Sequence, residues 1–75
     1  MSMYMAEFKL RYGEMKWYVR RIVEADSFEK AKELAERYVK AINKGEVIWE
    51  LNDIYEVEKP LTITEEMVEK LEKAI

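Results

Sequence analysis

Cysteine, histidine and glutamine are absent from the 75 residues, and proline, glycine, serine and asparagine number only one, two, two and two. Without cysteine no disulfide can form. Without histidine as well, zinc fingers and ribbons, haem ligation by these residues and Cys/His nucleophiles are excluded. Ser2 and Ser27 have no histidine to activate them, which argues against serine-based hydrolysis or transfer. Gly13 and Gly45 alone cannot build a glycine-rich phosphate loop. Uncharged runs approaching the ~18 residues of a membrane span are missing too, and the apolar first six residues carry no basic n-region. The reading is a soluble, cytoplasmic protein of one domain, residues 1–75, with no membrane association. A chain of this size buries roughly 60% of its unfolded surface, so its stability must come from tight packing or oligomerisation.

What is abundant is charge. Thirteen Lys and Arg face 16 Asp and Glu, a net −3 that is unevenly spread. Residues 1–21 hold five basic groups (Lys9, Arg11, Lys16, Arg20, Arg21) and two acids (Glu7, Glu14), and the remaining 54 residues hold eight and 14. The split is therefore +3 and −6. With 39% charged residues and no glutamine the composition leans towards a thermophilic source, a lean that five methionines weigh against.

Residues 3–12 and 15–25 both alternate in polarity, and Gly13-Glu14 between them suits a two-residue type II′ turn. Such a turn pairs residues whose numbers sum to 27. Tyr4, Ala6, Phe8, Leu10 and Tyr12 then share one face with Val23, Arg21, Val19, Trp17 and Met15. The reverse face sets Arg11 opposite Lys16, Lys9 opposite Tyr18, Glu7 opposite Arg20 and Met5 opposite Ile22. Asp26 and Ser27 are alternative N-caps, with Glu29 completing a capping box from Asp26. Phe28, Ala31, Leu34, Ala35, Tyr38 and Ile42 recur at three- and four-residue steps, which predicts a helix over about residues 27–43 ended by Gly45 as a C′ residue.

Residues 46–58 read as extended, but the alternation stumbles at Asn52-Asp53. Either a bulge or a short turn sits there, giving one bulged strand or a strand over 54–58 preceded by a separate segment. Lys59-Pro60 stops it. Thr64 fits an N-cap, Ile63 and Val68 a hydrophobic staple, and Met67, Val68, Leu71, Ala74 and Ile75 a second stripe. The order is β-β-α-β-α, an α+β fold. A right-handed crossover places the second and third strands parallel with the first antiparallel between them, sheet order 2-1-3. One helix covers the Phe8, Leu10, Trp17, Val19 face; the second packs beside it or reaches a partner chain.

The stretch Val23-Glu24-Ala25-Asp26-Ser27-Phe28-Glu29-Lys30-Ala31, followed by Gly45-Glu46-Val47-Ile48-Trp49-Glu50-Leu51-Asn52-Asp53-Ile54-Tyr55-Glu56-Val57-Glu58, resembles the DpnD/PcfM-like family of small domains. The resemblance covers about residues 15–58. It implies a phage, plasmid or restriction-system neighbourhood and no established biochemical activity, and it transfers no functional residue. The helix from Thr64 onwards lies outside it.

Chemistry has few carriers. Neighbouring acids such as Glu65 and Glu66, or Glu50 and Asp53, are expected by chance among 16 carboxylates, and acids in a first helical turn complement the helix dipole. No metal-loop spacing supports a cation site, and no cofactor is expected. Arg21 falls on the inward parity of its strand, and a regular third strand would turn Asp53 inward as well. The two would then form an ion pair above Ala6. The favoured alternative is that a bulge shifts Arg21 outwards and Asp53 caps the Asn52-Asp53 turn, because burying either charge unpaired is costly.

The reverse hairpin face is the candidate binding surface: Lys9, Arg11, Lys16 and Arg20 surround Tyr18, and Met5 and Ile22 continue it as an apolar patch with Met3. Basic groups around an aromatic suit single-stranded nucleic acid. Adaptable methionines beside an aromatic suit a protein. Glu7 opposite Arg20 and the acidic chain favour the second. The expectation is a small non-catalytic interaction or inhibitor protein that binds a protein partner through this face or an edge strand; the alternative is a nucleic-acid-binding accessory protein. A homodimer through residues 64–75 or an exposed edge strand is a further expectation.

Overall fold

The computed structural model describes residues 1–58 and 63–74. Its elements are β1 (Ser2–Tyr12), β2 (Met15–Ala25), α1 (Phe28–Ile42), β3 (Ile48–Val57) and α2 (Glu65–Lys73). The hairpin register is the one the turn dictates, running from Ser2 opposite Ala25 to Tyr12 opposite Met15. Gly13 has φ +59° while Glu14 stays at negative φ, the signature of the type II′ turn whose twist matches paired strands.

β3 pairs antiparallel with the other side of β1, from Arg11 opposite Ile48 to Met3 opposite Val57, so the sheet order is β2-β1-β3. The stumble at Asn52-Asp53 is a bulge within one strand. Phe8 lies opposite Leu51 and Glu7 opposite Asp53, leaving Asn52 as the extra residue. The bulge also decides between the two readings of Arg21 and Asp53, and rules out their ion pair, by keeping Asp53 on the face of Glu7. There Asp53 Oδ1 accepts from the Ile54 backbone N–H at 2.9 Å. Arg21 keeps the opposite parity, is exposed, and donates from Nη1 to the Arg20 carbonyl at 2.9 Å. The two charges lie on opposite sides of the sheet.

The central strand supplies most of the core. Tyr4, Ala6, Phe8 and Leu10 are all buried on one face, beneath α1. The helix meets them through Ala31 and Ala35, one turn apart: Ala35 packs with Ala6, Phe8 and Leu10, and Ala31 with Tyr4 and Ala25, and Ala6, Ala31 and Ala35 are all 0–1% exposed. Phe8 is the one large side chain fully buried among the described residues. Its ring centroid lies 5.6 Å from Tyr38 and 5.7 Å from Trp49, which meet each other edge to face at 5.8 Å. The core is thus narrow. Tyr38, Phe28 and Trp17, all of inward parity, remain 40%, 44% and 36% exposed.

Of the two N-cap candidates, Ser27 caps α1, its Oγ accepting from the Lys30 N–H at 3.1 Å. The C-terminus departs from expectation. Asn43 is the C-cap, and its side-chain amide bonds Trp49 in both directions, Nδ2 to the carbonyl and Oδ1 from the N–H, each at 3.3 Å. That clamp ties the end of α1 to the start of β3, and Gly45 does not adopt the left-handed conformation of a C′ glycine. α2 begins as expected at Thr64, whose Oγ1 accepts from the Met67 N–H at 3.2 Å. Ile63 is 79% exposed, so the expected staple onto Val68 is not closed. The Lys59-Pro60 stop and Ile75 of the second stripe lie outside the described residues.

Candidate protein interface

Because α1 covers only one side of the sheet, the other side is open among the described residues. Strand parity turns Met3, Met5, Glu7, Lys9 and Arg11 of β1 onto it, flanked by Glu24, Ile22, Arg20, Tyr18 and Lys16 of β2. All seven candidate residues, Met5, Lys9, Arg11, Lys16, Tyr18, Arg20 and Ile22, therefore share this face. β3 adds Val57, Tyr55, Asp53, Glu50 and Ile48 along the opposite edge. These were missed in the sequence because their alignment depends on where the bulge falls. With the extra residue at Asn52, Ile48-Glu50 and Asp53-Tyr55-Val57 become one continuous row.

The third strand changes the electrostatics of the face. Arg11 Nη2 lies 2.7 Å from Glu50 Oε1 across the β1–β3 pair. Glu7 sits centrally, its side chain only 19% exposed; Oε2 receives Arg20 Nη2 at 3.1 Å and Nε at 3.2 Å from β2, and Oε1 receives Asn52 Nδ2 at 2.8 Å from the bulge. Four strand-borne cations (Lys9, Arg11, Lys16, Arg20) now share the face with four acids (Glu7, Glu24, Glu50, Asp53), and the hairpin's local positive charge is cancelled. Lys9 and Lys16, beside Tyr18, are the cations of this face without an ion pair among the described residues.

Beyond the Glu7 band the face turns apolar. Ile22, Met5 and Tyr55 form one row across all three strands, and Met3 and Val57 extend it towards the sheet end. Ile22 is 43% and Tyr55 42% exposed, enough to be reached by a partner yet held by the strands. The arrangement is an ordered apolar row beside a band of paired charges, the composition of an interface core next to a polar rim. Among the described residues no group of three or more acids is placed to hold a metal ion, and no helix is long and apolar enough to cross a membrane.

Comparison of the chain with protein-family models, with curated proteins and with solved structures gave no match.

Proposed function

We propose that this protein is a small non-catalytic interaction or inhibitor protein that binds a protein partner through the open face of its sheet. The observation that carries the reading is the three-strand row of Ile22, Met5 and Tyr55 lying beside charges that are already paired within the chain. An apolar row of this kind releases water when covered, at ~25 cal/mol per Å² of apolar surface. Pre-paired charges at its border favour a partner that contacts them without having to neutralise a strong field. A phage- or plasmid-associated setting belongs to the same proposal and rests on the sequence resemblance.

The pairing of Arg11 and Arg20 also favours a protein over nucleic acid. Phosphate binding would first have to displace Glu50 and Glu7, leaving Lys9 and Lys16 as the ready cations. Two phosphate contacts give a log–log salt slope of only about −1.4 on single strands and about −1.8 on duplex DNA. The test is capture of a partner from cells encoding the chain, using the native protein, an Ile22→Asp/Tyr55→Ser variant and a control changed on the solvated face of α1, Glu29→Lys. The same partner retained by native protein and control and lost by the open-face variant supports the reading. Equal capture by all three, or tight salt-sensitive binding of labelled DNA or RNA instead, overturns it.

A further inference from the structure

On the covered side of the sheet α1 runs along the middle, leaving the edge over β2 bare. There a cavity of about 390 Å³ opens between helix and strand, lined by Phe8 of β1, by Leu34, Ala35 and Tyr38 of α1, and by the β2 stretch from Arg21 through Ile22 and Val23 to Glu24. Arg21 has no carboxylate partner among the described residues. The same chain holds an element of complementary character. α2 presents Met67, Val68 and Leu71, respectively 37%, 38% and 63% exposed, as an apolar stripe, and it touches no other described element. The Cα radius of gyration is 16.0 Å, against about 11 Å for a compact chain of this length, so α2 stands away from the body. Glu65 and Glu72, seven residues apart, fall on one edge of the stripe beside Val68. Glu66 is taken by Lys70 at 3.2 Å.

We infer that α2 of a second copy fills the groove between α1 and β2, reciprocally, in a two-fold dimer in which Arg21 faces the Glu65 and Glu72 edge of the incoming helix. The chain's own topology points to a second copy. β2 and β3 end at the same end of the sheet, since Ala25 lies opposite Ser2 and Val57 opposite Met3. The connection from β2 into α1, Asp26-Ser27, leaves from that end. For α2 to reach the groove over β2 within its own chain, the connection leaving β3 would have to cross that link, an arrangement folds avoid. Exchange between two copies needs no crossing. It also buries two helices in two grooves, which brings a small contact towards the ~1,200–2,000 Å² of specific interfaces. The groove and the open face lie on opposite sides of the sheet and share only Ile22 and Glu24 at the β2 edge; variants at Arg21, Leu34, Glu65, Leu71 and Glu72 lie outside the open face, so failure of this inference and failure of the partner-binding proposal are distinguishable.

The test is the solution mass of the full chain by light scattering and sedimentation. Twice the 9.1 kDa of the chain is expected. Leu71→Asp and Arg21→Glu, both at exposed positions, should preserve the far-ultraviolet circular dichroism. Each should raise the dimer dissociation constant by at least about tenfold, as loss of one buried apolar or charged anchor implies. Glu65→Lys/Glu72→Lys in the Arg21→Glu background should restore most of the loss. Because the chain has no native cysteine, Leu34→Cys and Leu71→Cys preparations can be mixed and oxidised, and a disulfide joining the two different chains is expected. A monomer at millimolar concentration overturns the inference. So does a dimer indifferent to both charge and apolar variants, or a 34–71 disulfide that forms only within one chain carrying both cysteines.

Discussion

Removing the Glu7 side chain separates two contributions that hold the open face together. Its carboxylate joins all three strands, taking Arg20 from β2 and Asn52 from the bulge of β3. The Arg20 side chain is 64% exposed, so that ion pair is a surface one worth about 0.2–1 kcal/mol. The Asn52 bond is short at 2.8 Å and reaches a largely covered carboxylate, and hydrogen bonds to charged groups contribute about 1.5–3 kcal/mol. The bond to the bulge therefore outweighs the ion pair. Glu7→Ala should destabilise by about 2 kcal/mol, lowering Tm by roughly 8–16 °C. Glu7→Gln keeps a carbonyl acceptor for Asn52 and gives up the charge, and should cost about 1 kcal/mol or less. Urea unfolding of both, with Asn52→Ala and the Glu7→Ala/Asn52→Ala double variant, yields the coupling between the two side chains. Coupling near zero would refute the reasoning, as would Glu7→Gln matching Glu7→Ala, because the charge would then dominate.

Other perturbations follow from the same geometry. Phe8→Ala, at the one large fully buried side chain among the described residues, should cost about 3–5 kcal/mol. That is a large share of the ~4–11 kcal/mol expected for 75 residues, so near-ultraviolet circular dichroism should show substantial unfolding at 37 °C. The two glycines should respond oppositely. An added Cβ meets nothing within 4 Å at either, but Gly13 has φ +59°, so Gly13→Ala should lose about 1–2 kcal/mol from backbone strain alone. Gly45→Ala, free of that strain, should be neutral or gain about 0.4–1 kcal/mol by restricting the unfolded chain, as thermal melts will show.

The hairpin was legible to the residue because one turn fixes it. Gly at the first loop position selects the turn type, the turn sets the pairing, and a period of two assigns every side chain to a face. The strand order followed from crossover handedness. The division of β1 and β2 side chains between the two faces was consequently correct. On β3 the same logic stalled, because Asn52 and Asp53 are both turn formers and polarity alone does not say which is extra. The bond from Asn52 to Glu7, 45 residues away, settles it, and such a contact has no local signature. The end of α1 was misread for a related reason: Gly45 carried the familiar helix-stop signal, whereas the stop is made by Asn43 reaching Trp49. The stripe of α2 was plain in the sequence. That α2 meets no other described element was not, since an amphipathic pattern identifies a face to be covered and is silent about what covers it.

The most direct test of the open face as a partner-binding surface is site-specific photocrosslinking in cells that encode the chain, with the reactive group placed in turn at Ile22, Tyr55 and Glu29. One and the same heterologous adduct from positions 22 and 55, and none from 29, is the predicted result. Adducts that do not depend on position, or that arise only from the α1 position, would contradict it.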